Sequence, residues 1–217
     1  MFAGKFIQSL ILITLVALGG LSVFAQGKFG TSVIKTDGGY LIVQNREKTS
    51  FSLEFKGESL KPLKSDHPTF VLDGKLIQVV TVSYKNYWNP AEKSAAEPGI
   101  DQLLESHKIW ESDYLGEALN AKLSVTSELF EIDRRRKVMF WSFPMPKNLE
   151  STYSHQLFLT TLIDKDVVGI NASPTRPEEQ KAYREFIVAS MNTLKTSDKP
   201  FNIKELREFL KEGDSAE

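Results

Sequence analysis

Three histidines, His67, His107 and His155, are the side chains from which acid–base, metal or nucleophilic chemistry would have to start in this chain. None makes a recognised spacing with another histidine or with a carboxylate motif, whereas a zinc or non-haem iron site needs three or four convergent ligands. Ser106 beside His107 and Ser154 beside His155 are neighbours in sequence only. A nucleophile and its base must converge in space, with a third group to orient the base. No G-x-S-x-G elbow occurs, and neither does a G-x-x-x-x-G-K-[ST] or G-x-G-x-x-G loop to cradle a phosphate. Glu178 and Glu179 are paired acids, but they fall where a helix should begin, and the helix dipole favours acids there. Cysteine is absent, which removes disulfides, thiolate ligands and cysteine nucleophiles together. The residues therefore point to a non-catalytic protein with no cofactor and no bound metal.

What remains is surface and pocket. Arg134, Arg135, Arg136 and Lys137 crowd one turn, where like charges repel unless they are solvated or met by an acidic protein or lipid headgroups. Tyr87 and Trp88 stand just before Asn89 and Pro90; exposed, such aromatics would anchor a partner, and buried, they would plug the loop. These six residues are the candidate protein-contact surface. A candidate pocket is formed by His107, Trp110 and His155. The alternative function it carries is that of a small-ligand carrier or an unrecognised hydrolase, and the test is whether those side chains converge on an apolar concavity or disperse into a packed core. The chain's 27 basic and 28 acidic side chains give no electrostatic grip on nucleic acid.

The elements that must hold these residues are legible from periodicity. Residues 41–43 and 50–55 read as strands, the second with Phe51, Leu53 and Phe55 alternating against Ser52 and Glu54. Asp73-Gly74 between 70–72 and 75–84 is a tight-hairpin signal, and the second of these strands is apolar on both faces, so both sides of its sheet should be covered. A helix is expected over 101–114 on the face Ile100, Leu103, Leu104, His107 and Trp110. Strands at 123–132, 138–143, 154–163 and 167–172 are joined by connections too short for parallel crossovers, so they form an antiparallel meander. A helix over 176–194 opens on a Thr175/Glu178 capping box, and a short helix over 203–210 opens on Asn202 and Glu205.

Ahead of all this, residues 1–25 have the three parts of an export signal. Lys5 is the positive start, an apolar run follows, and Val23, Phe24 and Ala25 give a processing site before Gln26. The rival reading is an uncleaved anchor, since about 20 uncharged residues suffice to cross a bilayer. Either way the remaining chain lies outside the cytosol, in a periplasm or at the cell exterior. Its about 190 residues are enough for a core without cross-links. A cysteine-free exported domain of this kind suits a bacterial host.

The order of elements, with Tyr40 followed by SFSLEF at 50–55 and HQLFLTTLIDKDVVGINASPT at 155–175 leading into a helix, resembles the PsbP-like family. That family is named for an extrinsic protein of the oxygen-evolving complex, and its fold is shared with a Ran-binding nuclear transport factor. The Pro and Trp that usually follow the family's first strand do not appear after Phe55. The resemblance implies an α+β fold, an antiparallel sheet of about seven strands sandwiched between helices. It also implies action through protein contacts. The expected layout is a signal at 1–25, a short tether at 26–39, a globular domain at 40–198 and a capped helix with tail at 199–217. The expected partner is another exported or membrane protein, with no nucleic acid, and with membrane contact only through an unprocessed N-terminus.

Overall fold

The computed structural model describes residues 29–88, 97–133, 136–147 and 149–213. In chain order the elements are β1 (Gly30–Thr36), β2 (Gly39–Asn45), β3 (Ser50–Lys56), β4 (Leu60–Leu63), β5 (Thr69–Leu72), β6 (Lys75–Val82), a short helix α1 (Tyr84–Tyr87) and the long helix α2 (Ile100–Ala118). Then come β7 (Thr126–Ile132), β8 (Arg136–Pro144), β9 (His155–Ile163), β10 (Asp166–Ser173), a 3-10 turn (Pro177–Glu179), α3 (Gln180–Asn192), β11 (Lys195–Ser197) and α4 (Ile203–Gly213).

The fold is α+β, and the expected seven-stranded antiparallel sheet is present in the order β4-β5-β6-β10-β9-β8-β7. Its membership differs from the sequence reading. Tyr40 and the SFSLEF strand lie in a second, four-stranded antiparallel sheet, β1-β2-β3-β11. The segment read as a tether from 26 to 39 contains β1, whose composition is polar because an edge strand needs few apolar contacts; only Ile34 of its residues is buried. β4 is masked in the sequence by Pro62, which an edge strand tolerates because its missing N–H faces no partner. The signal segment 1–25 lies outside the described residues.

Alternation along the large sheet makes two apolar faces. One presents Ile77, Val79, Leu157, Leu159, Val168 and Ile170 to a core shared with Phe51, Phe55 and Ile42 of the small sheet and with Tyr183, Ile187 and Met191 of α3. The other presents Met139, Trp141, Phe143 and Phe158 to Leu104 and Leu115 of α2. Both faces are covered, as the doubly apolar β6 required.

Local signals set the boundaries. The β5–β6 turn carries Asp73 and Gly74 at φ of 46° and 81°, the positive values a two-residue hairpin needs. The Asp73 carboxylate also accepts from the Glu58 and Ser59 amides, at 2.8 Å for the latter, and those bonds hold its pKa below the usual range. α2 runs a turn beyond the expected end and stops in a Schellman motif: Ala121 N–H donates to Gly116 O (3.0 Å), Asn120 N–H to Glu117 O (3.1 Å), and Asn120 takes φ of 47°. The capping box of the closing helix uses Glu179 rather than Glu178. Pro177 opens a 3-10 turn, which moves the acceptor one residue on, and Glu179 takes the amides of Thr175 and Arg176 together with the Arg176 guanidinium. That guanidinium brings the Glu179 carboxyl down to about 2. Asn202 and Glu205 cap α4 as expected.

Candidate functional site

α2 lies over the sheet with His107 only 2% exposed, and both ring nitrogens lack a hydrogen-bond partner. The Tyr87 ring meets it edge-on at 5.4 Å, and the Trp110 ring sits 6.1 Å away. One helical turn on, the Glu111 carboxylate is 4.0 Å from Nε2, beyond hydrogen-bond distance. Burial sets the proton on the acid: it depresses the imidazole to about 4 and raises the carboxyl to about 7. At pH 6 this pair is neutral imidazole beside neutral carboxylic acid. Glu111 does not stand out in the sequence, although it falls four residues after His107, on the face that Leu104 and Leu115 also occupy.

His155 belongs to the opposite face of the sheet. It shares the parity of Leu157 and Leu159, and Gln180 of α3 meets its Nε2 at 3.2 Å. The contacts fit one proton assignment. Gln180 donates to Nε2, Nδ1–H donates to Ser154 Oγ (3.2 Å), and the Ser154 hydroxyl donates to Pro174 O (3.2 Å). That direction is the reverse of what a serine nucleophile needs, because its proton points to a carbonyl and not to the imidazole. The expected pocket therefore does not assemble: His107 and Trp110 meet, and His155 is separated from them by the sheet. His67 is exposed at the surface. Among the described residues no group of three or more His, Asp or Glu side chains is placed to hold a metal ion.

The aromatic pair is a plug and not an exposed anchor. Tyr87 and Trp88 are 6% and 9% exposed and pack on Leu103 and Val167. The β9–β10 turn fixes them: Tyr87 OH donates to Lys165 O, and Asp166 accepts from the Tyr84 amide (3.0 Å) and from Arg46 (2.6 Å).

Of the four basic residues in the β7–β8 turn, Arg134 and Arg135 lie outside the described residues. Arg136 and Lys137 are drawn into the fold. Arg136 donates to Met191 O (3.3 Å) and Leu194 O (3.0 Å), closing the C-terminus of α3 where a cation is favoured. Lys137 reaches Asp101 at the start of α2, at 2.8 Å, and that carboxylate holds the ammonium pKa up.

Between these two cations the structure opens. Backbone pairing of β8 with β9 begins at Met139 and Thr160; upstream of it the Thr161 hydroxyl bridges to Lys137 O (2.9 Å) in place of a ladder bond. The β7–β8 hairpin keeps its own pairing to Ile132 and Arg136, so its last residues pair with each other and not with β9. The gap is a cleft of about 540 Å³ lined by Ile100, Asp133, Arg136, Lys137, Thr161 and Leu162. Ile100, 48% exposed, is an aliphatic side chain at its mouth. Nothing in the sequence pattern marks this cleft, because a strand splay leaves the alternation of both strands intact.

Neither a family model nor a curated protein sequence matches the chain. Among solved structures, the solution structure of cyanobacterial PsbP (CyanoP) from Synechocystis sp. PCC 6803 aligns over 84% of this chain and 99% of that one, at 9% identity and a TM-score of 0.43. At that level of likeness, function has to be read from the geometry of this chain. No helix among the described residues is long and apolar enough to cross a membrane.

Proposed function

We propose that this is an exported, non-catalytic binding or accessory protein that works through contact with another exported or membrane protein, and that the cleft at the splayed end of β8 is where the contact is made. The observation that carries the reading is the composition of that cleft. Exposed Ile100 and aliphatic Leu162 line it together with Arg136, Lys137, Asp133 and Thr161, and Asp133 and Asp101 pair with the two cations. Aliphatic side chains set among paired charges suit a protein contact, the aliphatic groups giving affinity and the charges giving register. His107, Tyr87 and Trp88 are packed in the interior, His155 is tied to Ser154 and Gln180, and His67 is exposed.

A photo-cross-linking residue at position 100, in the native exporting cell, should give one discrete protein adduct, with none from the same residue at exposed position 61. Lys137→Glu, which sets two carboxylates against each other, should cut the yield by about tenfold or more. Equal labelling at both positions, or no adduct at 100, would contradict the proposal. The carrier or hydrolase reading has no comparable observation in its favour, since its residues lie on opposite faces of the sheet.

A further inference from the structure

Four strands end the two sheets, and three of them are blunted. β4 is four residues long with Pro62 inside it, β11 is three residues long, and β1 has α4 docked beside it, with Asn45 of the neighbouring β2 bonded to Phe201. Short edges, prolines and covering segments are how sheets avoid pairing with other chains. Among the described residues β7 has none of these, and its only charges are the carboxylates of Glu128 and Glu131. Its seven residues, TSELFEI, contain no Pro, Gly or Lys, and Thr126, Ser127, Glu128, Leu129 and Glu131 are exposed. β8 pairs with it along one side for its full length, and no strand among the described residues lies on the other.

We propose that β7 pairs antiparallel with β7 of a second copy of this chain, about a two-fold axis passing through Leu129 perpendicular to the sheet. An axis in that direction keeps each face of one sheet continuous with the same face of the other, so only registers centred on a residue are allowed. Centring on Glu128 or Glu131 opposes two carboxylates, which is destabilising. Centring on Phe130 leaves Thr126 and Ser127 without partners. The register through Leu129 uses the whole strand and opposes no like charges: Leu129 meets Leu129, Glu128 meets Phe130, Ser127 meets Glu131 and Thr126 meets Ile132.

The side-chain chemistry fits that register. Leu129, 38% exposed, is on the face that carries α2, and self-pairing gives it an apolar neighbour. On the α3 face, Arg184 lies over the Phe130 ring at 5.5 Å and pairs with Glu128 at 2.5 Å. In the pairing, the second copy's Glu128 arrives opposite that same Phe130, so the guanidinium stands between two carboxylates. A foreign extended peptide would have no reason to match this charge pattern. The proposal goes beyond the cleft reading and does not depend on it.

The absence of native cysteine makes the test direct. Under mild oxidation Leu129→Cys should form a disulfide-linked dimer nearly to completion, while Thr126→Cys, also exposed but facing Ile132 in the pairing, should stay uncross-linked. Sedimentation equilibrium of the unsubstituted protein should show a dimer. Leu129→Lys, an exposed change that leaves the circular dichroism spectrum intact, should weaken it by about tenfold or more. A monomer at every concentration, equal cross-linking at 126 and 129, or a dimer cross-linked at neither position, would overturn the proposal.

Discussion

Glu111→Gln should stabilise the protein by about 2 to 3 kcal/mol at pH 8, and by almost nothing at pH 4.5, when unfolding free energies are measured in urea across that range. The acid is four-fifths buried on the inner side of α2, with its carboxyl raised from an ordinary value of 4.5 to about 7. A raised pKa means that the folded state prefers the protonated form. Its contribution is whole below 4.5 and is lost as pH climbs through about 7, at about 1.4 kcal/mol for each pH unit between those values. Glutamine keeps the shape without the ionisation. His107 has the opposite sign: its pKa is lowered from 6.5 to about 4, so its contribution is present above 6.5 and is lost as pH falls towards 4. Between 4.5 and 6.5 the two slopes cancel, because the folded pair carries one proton on the acid and the unfolded pair carries one on the imidazole. The unsubstituted protein should therefore be nearly flat in that window, while the glutamine variant loses stability as pH falls. Parallel curves for the two proteins would show that Glu111 is solvated.

The second large effect is at Trp141. It is fully buried, and its ring lies flat on Phe158 with centroids 3.7 Å apart and planes 3° from parallel. The pair forms the floor beneath Leu104 and Leu115 of α2. Trp141→Ala should cost about 3 to 5 kcal/mol, from lost apolar contact and the cavity left under the helix. Trp141→Phe should cost far less than that difference in size implies, since the indole N–H has no acceptor and its removal relieves a buried unpartnered donor. Urea midpoints followed by far-ultraviolet circular dichroism check both; an alanine variant as stable as the parent would mean that α2 does not rest on this stack.

These two residues also show what sequence could and could not reveal. The tight β5–β6 turn, the meander and both long helices are legible because each depends on local chemistry: positive φ at Asp73 and Gly74, alternation in β8 to β10, and helical spacing in α2. The division into two sheets is not, because pairing partners are a matter of long-range contact and β3 alternates in the same way whichever sheet it joins. Site reading fails for a related reason. Spacing places His107 and His155 on apolar faces correctly, but which side of the sheet each face meets is set by topology. Arg136 and Lys137 look like a free basic patch because the α3 carbonyls that accept from Arg136 and the Asp101 carboxylate that pairs with Lys137 are distant in sequence and meet them only once the chain has folded. Whether Tyr87 and Trp88 plug the loop or stand exposed stays open in the sequence, because it carries no sign that the β9–β10 turn reaches over to them.

The claim on which the proposed contact function leans is that the His107 imidazole is a packed, dry side chain under Tyr87 and Trp110. Nitrogen-15 nuclear magnetic resonance of the His107 ring is its sharpest test. The resonances should report one neutral tautomer from pH 8 to pH 5, with protonation only on approach to about 4. A midpoint near the ordinary 6.5 would instead reveal a hydrated, accessible imidazole and contradict the account.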